Sequence, residues 1–347
     1  MAMVDVTVLG AGIFGLATAW ACCQRGARVR VIDPFGPGAG SSGGIVGALA
    51  PHTPENWNPK KAFQLRSLLR AEGFWSEVEA AGGKSAGYGR TGRLQPIADA
   101  RALDLARARE VSAAELWGDA AQWRVISADE AGEWAPVSAT GYLIHDTLSA
   151  RMHPRQACAA LVAAITACGG EVVAEGALEG AVVHATGWRG LLELSEQLGG
   201  RSVGNGVKGQ AALFALDRRD LPQLYADSLH IVPHADGTVA VGSTSEREFD
   251  APDTVDAQLE DVIARARAAL PELAEAEVIL RWAGVRPRAR SRAPMLGAWP
   301  GRAGHFVANG GFKIGFGMGP EVARVMADLV LEGADGIPQG FRVEDSL

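Results

Sequence analysis

The sequence has few of the residues that build disulfide frameworks or metal clusters. It holds four cysteines in 347 residues, and none of them belongs to a C-x-x-C pair. Cys22, Cys23, Cys158 and Cys168 all fall in segments whose pattern predicts helices, so we expect buried free thiols. The sequence thus predicts no metal site and a reducing, cytoplasmic environment.

Positive charge and long apolar runs are also scarce. Acidic residues outnumber lysine and arginine by 40 to 33, for a formal net charge of −7, which argues against a nucleic-acid partner or an anionic-membrane surface. The apolar run 4–23 is divided by glycines and lacks the basic start of a signal peptide. No other stretch approaches the ~20 apolar residues of a membrane span. We expect a soluble protein of two domains; the composition does not indicate its oligomeric state.

Residues 6–33 carry the strongest signal in the chain: a strand, a glycine turn, a helix and a second strand. Gly10, Gly12 and Gly15 have the G-x-G-x-x-G spacing of a dinucleotide-binding turn. The first allows a tight turn, the second lets the backbone approach a pyrophosphate, and the third lets the helix pack on the sheet. Asp33 ends the second strand, where its carboxylate can accept hydrogen bonds from a ribose diol. The segment predicts a dinucleotide-binding unit.

The helix of this unit is predicted over residues 13–24. Its first residues, Ile13 and Phe14, follow the glycine turn directly. Their backbone N–H groups and the positive end of the helix dipole would face the phosphates. We therefore count both residues among the candidate cofactor-binding positions.

The later segments predict a second kind of sheet. Hairpin-like breaks after residue 206 indicate antiparallel strands, whereas residues 150–187 read as a continuation of the N-terminal parallel sheet. We predict an α/β fold: a Rossmann-like domain assembled from discontinuous segments, plus an α+β domain with an antiparallel sheet. Further helices are predicted over residues 60–81, 99–117, 127–134 and 255–270.

Taken together, five blocks of sequence resemble the D-amino-acid oxidase superfamily, which includes glycine oxidase, sarcosine oxidase and D-amino-acid dehydrogenases. They occur in the expected order and span nearly the whole chain. The blocks are VTVLGAGIFGLATA with VRVID, SSGGIVGALAPH, HPRQACAALVAA, VVHATG, and WAGVRPRARSRAPMLG through HFVANGGFKIGFGMGPEVARVMADLV.

The resemblance implies that FAD is the cofactor, bound in an extended form. It assigns residues 1–82, 150–205 and 285–347 to the FAD-binding domain and residues 83–149 and 206–284 to the substrate-binding domain. No counterpart of the cysteine that carries covalent flavin in sarcosine oxidases is present in RARSRAPMLG. The resemblance therefore implies non-covalent FAD.

The resemblance also assigns cofactor contacts well beyond the glycine turn. Small residues near 41–48 would line the pyrophosphate and the flavin ring, and a turn after VVHA would close over the nucleotide. The segment before the last helix, which is predicted to start near Gly319, would contact the pyrimidine edge of the flavin. These positions are Ser41, Ser42, Gly47, Ala48, Val173, Ala185, Thr186, Gly187, Gly310, Gly311, Phe312, Lys313 and Ile314.

Four residues are candidates for the substrate site. Arg286 matches the family arginine that clamps a substrate carboxylate through two parallel hydrogen bonds; a surface or phosphate-binding arginine is the alternative. Lys313 resembles a second carboxylate ligand of the sarcosine-oxidase branch; a flavin hydrogen bond through its backbone alone, with the side chain free, is the alternative. His52 lies near the flavin by the same resemblance, where it would tune the protonation of a substrate amine or serve structure alone. His230 stands where glycine-oxidase-like members often carry tyrosine and would line the pocket.

Two further features bear on the reaction. The lysine that promotes reaction with oxygen in the sarcosine-oxidase branch aligns with Ala240, so the electron acceptor stays open. Arg288, Arg290 and Arg292 would share a face with the candidate carboxylate ligand if the strand continued. That row of cations fits either solvated arginines or a substrate with two acidic groups.

The resemblance implies an FAD-dependent enzyme that oxidises the C–N bond of a small amino acid or secondary amine. Hydride would pass from the α-carbon to flavin N5, and the imine would hydrolyse. Two alternatives stay open: oxidation of a modified uridine in tRNA, and an electron-carrying flavoprotein or NAD-binding dehydrogenase.

Overall fold

The computed structural model describes residues 3–347. Its strands are β1 (Val6–Leu9), β2 (Val29–Ile32), β3 (Ala48–Leu49), β4 (Arg93–Pro96), β5 (Trp123–Ser127), β6 (Tyr142–Asp146), β7 (Ala150–Arg151), β8 (Glu171–Val173), β9 (Ala181–His184), β10 (Gly204–Phe214), β11 (Gln223–Ala226), β12 (Leu229–Pro233), β13 (Val239–Gly242), β14 (Val278–Ala289), β15 (Met295–Ala298) and β16 (His305–Asn309). Its α-helices are α1 (Ile13–Gln24), α2 (Pro59–Gly82), α3 (Ala100–Trp117), α4 (Pro154–Ala167), α5 (Gly187–Gln197), α6 (Ala257–Ala269) and α7 (Gly315–Glu332).

A six-stranded sheet in the order β15-β16-β9-β1-β2-β8 forms the nucleotide-binding half of the molecule. Strand β1 pairs in parallel with β2 and β9, and only the edge strand β15 is antiparallel. Helix α1 is buried from Ile13 to Cys23, as its nearly uniform apolar sequence requires. In such sheets ligands bind at the carboxyl ends of the strands, which is where the glycine turn lies.

The second sheet has eight strands in the order β14-β10-β13-β12-β11-β4-β6-β5. All its neighbours are antiparallel except β4 and β11. Because side chains alternate between the faces of a strand, one face buries Phe214, Leu224, Ile231 and Val241 in a core with residues of α6. The opposite face carries the polar residues that become the candidate site.

The predicted fold class is confirmed: a mixed α/β structure with one mostly parallel and one mostly antiparallel sheet. The helices α1, α2, α3 and α6 start and end within two residues of their predicted bounds. The domain division stays a prediction; its boundary at residue 285 falls inside β14, which runs its whole length in the eight-stranded sheet.

Two predicted helices differ from the structure. Residues 127–134 form a short 3₁₀ segment over Ala128–Trp134, because Gly132 has a non-helical φ of 62° and interrupts the turn. Helix α7 begins at Gly315 rather than near Gly319. Pro320 is the sixth residue of this helix, so its missing N–H leaves the carbonyl oxygen of Phe316 without its i+4 donor.

One cysteine also departs from expectation. Cys22, Cys23 and Cys158 are buried free thiols, whereas Cys168 is exposed. Cys168 caps the C-terminal end of α4, beyond the buried face of that helix. Among residues 3–347, no helix combines the length and the apolar character that a membrane crossing requires.

Candidate active site

The glycine turn brings β1, α1 and the segment after β9 into backbone contact. Gly10 has a φ of +101°, and a Cβ there would lie 2.3 Å from the carbonyl oxygen of Ala185. A Cβ on Gly15 would lie 2.0 Å from the carbonyl oxygen of Gly10. The Oγ atom of Ser42 accepts a hydrogen bond of 3.0 Å from the N–H of Ile13. The turn thus tolerates only hydrogen atoms at Gly10 and Gly15, as the tight turn at the first glycine and the close packing of the helix at the third require.

Asp33 fixes the other end of this turn. One carboxylate oxygen accepts the N–H of Ala11 at 2.8 Å, and the other accepts the N–H of Phe35 at 3.0 Å. Its own N–H donates to the carbonyl oxygen of Val173 at 3.0 Å. The structure therefore joins Asp33 and Val173 at the carboxyl ends of β2 and β8, and their contacts to the cofactor stay predictions.

A third group of predicted residues, at the start of α5 and before α7, lies beside the glycine turn. Thr186 precedes α5, and the carbonyl oxygen of Gly187 accepts a hydrogen bond of 2.9 Å from Nδ2 of Asn309. The side-chain oxygen of Asn309 in turn accepts the N–H of Gly310 at 2.8 Å. Gly311 packs on Phe14 near the start of α7. Two helix N-termini, of α1 and α7, therefore meet along one edge.

These residues fit FAD. Gly12, at the start of α1, has no side chain that would keep a pyrophosphate away from the backbone, and helix N-termini attract anionic groups. The glycine turn, Asp33 and Val173 would hold the ADP half of FAD. Ala48 and residues 310–314 would contact the flavin half. The individual contacts stay predictions, and so does non-covalent attachment.

A cavity of about 180 Å³ lies beside the predicted flavin contacts. It brings together five predicted site residues, Ala48, His52, His230, Lys313 and Ile314. Three residues that the sequence did not single out complete its polar lining: Gln64, Arg93 and Tyr225. Strand pairing brings Arg93, Tyr225 and His230 together. Gln223 pairs with Arg93, and Tyr225, two residues further along the same strand, pairs with His230. The side chains of Arg93, Tyr225 and His230 therefore lie on one face of the sheet.

His52 is held by a side chain of α2. The side-chain oxygen of Gln64 accepts the backbone N–H of His52 at 2.7 Å and also contacts its ring Nδ1. Gln64 is oriented by its own bond to the carbonyl oxygen of Ala50, 3.1 Å away. Burial lowers the pKa of His52, and Gln64 opposes this in part. The imidazole is therefore neutral at pH 7, with its proton on Nδ1 and a lone pair on Nε2.

The pKa values of His230 and Lys313 are both lowered. Burial lowers the pKa of His230 to about 3, and the positive charges of Arg93 and Lys313 add to the effect. Burial also lowers the pKa of Lys313, and the charge of Arg286 lowers it further. The site therefore combines neutral imidazoles with the buried guanidinium of Arg93, whose attraction for an anion is strengthened by the shortage of water, and with the more exposed ammonium of Lys313.

Arg286 lies on the same sheet face but already bonds to the protein. One terminal nitrogen donates to Oγ of Ser243 at 2.7 Å, and the other donates to the carbonyl oxygens of Thr244 and Lys208 at 2.7 and 3.1 Å. It does not line the 180 Å³ cavity. Burial lowers the pKa of Arg286 to about 10, against the opposing charge of Glu246. Its role as a substrate clamp stays a prediction.

The comparisons with known proteins agree with this geometry. A family model described as FAD-dependent oxidoreductase (DAO) matches residues 5–329. The chain belongs to this family. It is therefore an FAD-dependent oxidoreductase, and the predicted enzyme class and cofactor are confirmed.

Two curated relatives are similar to this oxidoreductase over nearly their whole length. One is the uncharacterized oxidoreductase YurR of Bacillus subtilis (strain 168), with 27% identity over 95% of each chain. The other is the glycine oxidase of Geobacillus kaustophilus, with 24% identity over 94% of this chain and 92% of the relative.

Solved structures share the fold of this oxidoreductase. The crystal structure of glycine oxidase from Geobacillus kaustophilus has a TM-score of 0.84 and 23% identity and covers 98% of both chains. The crystal structure of an iminodiacetate oxidase from Chelativorans has a TM-score of 0.83 and 22% identity, covering 97% of this chain and 98% of its own.

The predicted row of arginines in this oxidoreductase does not form. Arg288 stays in β14 and stacks on Phe312, its Cζ 5.5 Å from the ring centroid. Strand β14 ends at Ala289, and the N–H of Arg292 closes a turn onto the carbonyl oxygen of that residue at 3.0 Å. Arg290 and Arg292 therefore lie beyond the end of the strand, and the condition under which the arginines would share a face with Arg286 is not met.

One cluster was not anticipated. The ligand-type atoms of His153, His234 and Asp236 lie within 4.8 Å of one another, beside the N-terminus of α4. The carboxylate of Asp236 already accepts hydrogen bonds from Gln156 and Thr238. The sequence expectation of no metal site stays a prediction.

Proposed function

We propose that this oxidoreductase oxidises the C–N bond of a small amino acid or secondary amine to an imine, which then hydrolyses. The observation that carries the proposal is the cavity that adjoins the predicted flavin contacts Ala48 and Ile314 and holds Lys313 and two imidazoles. Bound FAD supplies the acceptor for the α-carbon hydride. Relatives named glycine oxidase and iminodiacetate oxidase support the substrate class.

The cavity is suited to a carboxylate. Among the residues that the structure describes, those that line the cavity include cationic side chains and no Asp or Glu. Lys313 Nζ and Arg286 Cζ both lie over the ring of Phe312, at 5.8 and 5.7 Å from its centroid. Lys313 in the cavity wall, with Arg286 beside the cavity, would anchor the carboxylate and so fix the orientation of the α-carbon, and catalysis would be mainly positioning.

The imidazoles are suited to the amine. A neutral amine gives up hydride far more readily than an ammonium, so the proton has to leave before oxidation. Nε2 of His52 carries the lone pair that can accept it, because Nδ1 is occupied by Gln64. His230 stays neutral because burial lowers its pKa to about 3, and so it does not repel the ammonium form on entry.

The test is anaerobic reduction of the flavin. The FAD-loaded protein is mixed with D- and L-amino acids, glycine, sarcosine and proline, and the visible flavin band is followed. Bleaching by one member supports amine oxidation and identifies the substrate class. A band that no amine bleaches would contradict the proposal and favour tRNA oxidation or electron transfer; steep salt dependence of tRNA binding would separate those two.

A paired substitution tests the carboxylate anchor. Replacing Arg286 by alanine removes a charged hydrogen-bond donor, about 1.5–3 kcal/mol, so KM should rise roughly tenfold or more while FAD stays bound. Arg281 lies on the same strand, exposed and paired with Glu260, and Arg281→Ala is the control. Equal kinetics in the two variants would remove Arg286 from the substrate site.

A further inference from the structure

We propose that the substrate carries a second anionic group, which binds the guanidinium of Arg93. This group is a carboxylate on the side chain or on a carbon substituent of the nitrogen. The inference rests on the proposed amino-acid oxidation and narrows its substrate class. It assigns a specificity role to a residue that the sequence did not single out.

The position of Arg93 is the first argument. It lies on β4 in the eight-stranded sheet, is 7% exposed, and lines the same cavity as Lys313. Lys313 reaches the cavity from the segment before α7, on the side of the predicted flavin contacts. The charges of both residues act on His230 and lower its pKa. The cavity therefore has a cation contributed from each of two different parts of the fold.

The hydrogen bonds of Arg93 are the second argument. Its Nε donates to one carboxylate oxygen of Asp146 at 2.9 Å, and the other oxygen of Asp146 accepts the N–H of Ser149 at 2.8 Å. A guanidinium has five N–H donors. Within residues 3–347, no acceptor bonds to either terminal nitrogen of Arg93. One N–H of each terminal nitrogen points in the same direction, and this pair forms the planar fork that matches a carboxylate.

The charges that line the cavity are the third argument. Asp146 pairs with Nε of Arg93, and Glu246 opposes the charge of Arg286 outside the cavity, whereas no Asp or Glu among the described residues lines the cavity itself. The charged groups of the lining are therefore the guanidinium of Arg93 and the ammonium of Lys313. A substrate with two anionic groups would give each of these two cations a partner.

The first experiment measures binding without turnover. Succinate and glutarate are titrated into the FAD-loaded protein against propionate and butyrate, and the shift of the flavin spectrum is recorded. We expect each dicarboxylate to bind at least tenfold more tightly than its monocarboxylate partner. Equal affinities would overturn the inference even if the protein oxidises amino acids.

The second experiment compares acids with their neutral amides, which have nearly the same shape. We expect kcat/KM for aspartate or glutamate to exceed that for asparagine or glutamine at least tenfold, for the enantiomer that reduces the flavin. In the double variant Arg93→Gln/Asp146→Asn, which leaves no buried carboxylate unpaired, this ratio should fall close to one. Arg124, exposed on the edge strand β5 of the same sheet, provides the control Arg124→Gln, in which the ratio should persist.

The outcomes separate this inference from the proposed function. Oxidation of amino acids with equal acid and amide kinetics would leave the function standing and remove Arg93 from specificity. Tight dicarboxylate binding without any flavin reduction would contradict the proposed function and leave Arg93 as a binding site for an anionic group. If the double variant does not bind FAD, Arg93→Lys and the wild-type acid-to-amide ratio decide. A ratio that persists unchanged in a folded double variant shows a purely structural ion pair.

Discussion

Gly15 offers the sharpest test of how the dinucleotide turn works, because its helix geometry is ordinary and only space forbids a side chain. In a helix interior, alanine is more stable than glycine by about 0.5–1 kcal/mol. At Gly15, however, the Cβ would lie 2.0 Å from the carbonyl oxygen of Gly10, where ordinary contact begins at 3.4 Å. Helix α1 would therefore have to move away from β1 and carry its N-terminal N–H groups with it.

The magnitude follows from two opposing effects. The gain in helix propensity is offset by overpacking, which costs about 1–3 kcal/mol. The displaced N–H groups should weaken FAD binding at least tenfold, equivalent to about 1.4 kcal/mol. Gly73 is the matched control: it lies inside α2, and a Cβ there meets no atom within 4 Å. Gly73→Ala should gain the propensity term alone and leave the FAD affinity unchanged.

The assay titrates FAD into the apoprotein of each variant and follows flavin fluorescence, with Tm measured by calorimetry for the free and loaded forms. We expect a raised Tm and wild-type affinity for Gly73→Ala, against a lowered affinity and no rise in Tm for Gly15→Ala. If Gly15→Ala matched Gly73→Ala in both measurements, the close approach of α1 and β1 would not govern FAD binding.

Two further predictions concern stability and reactivity. Glu321 is buried in α7 and pairs with three arginines; burial alone would raise its pKa, but the arginines outweigh burial and lower it. The stabilisation by ionised Glu321 is therefore complete above its ordinary pKa of 4.5 and is lost as the pH falls through its pKa in the folded protein. Glu321→Gln should lower the free energy of unfolding by about 2 kcal/mol at pH 7. The difference in Tm from the wild type should narrow towards pH 3, and a constant difference would contradict the pairing. Burial raises the pKa of Cys22, Cys23 and Cys158 to about 12, so a thiol reagent at pH 8 should label the exposed Cys168 alone in the native protein; native labelling that survives in Cys168→Ser would refute this.

The β1-α1-β2 unit was predictable because every signal in it is local. Glycine spacing, apolar strands and the closing Asp33 all lie within one short segment, and helix α1 begins and ends at the predicted residues. The same holds for α2, whose cap residue Asn58 accepts the N–H of Lys61. Local rules of turn, cap and periodicity decide such elements without help from the rest of the chain.

The lining of the cavity was not predictable in the same way. Arg93 meets Tyr225 and His230 only through the pairing of β4 with β11 and of β11 with β12. Strand register between segments more than a hundred residues apart leaves no signal in a single sequence. Arg286 could be picked out by its motif, but its bonds to Ser243 and Thr244 depend on how a distant loop folds.

The hydrogen bonds around the glycine turn have a consequence for how the cofactor arrives. Ser42 already holds the N–H of Ile13, Asp33 holds that of Ala11, and Asn309 ties Gly310 to the start of α5. These hydrogen bonds join groups of the protein itself and do not use the cofactor. Association then has little conformational entropy left to lose at this edge, and preorganisation of this kind favours tight binding. If these bonds also form in the apoprotein, the cofactor binds to a turn that needs little rearrangement.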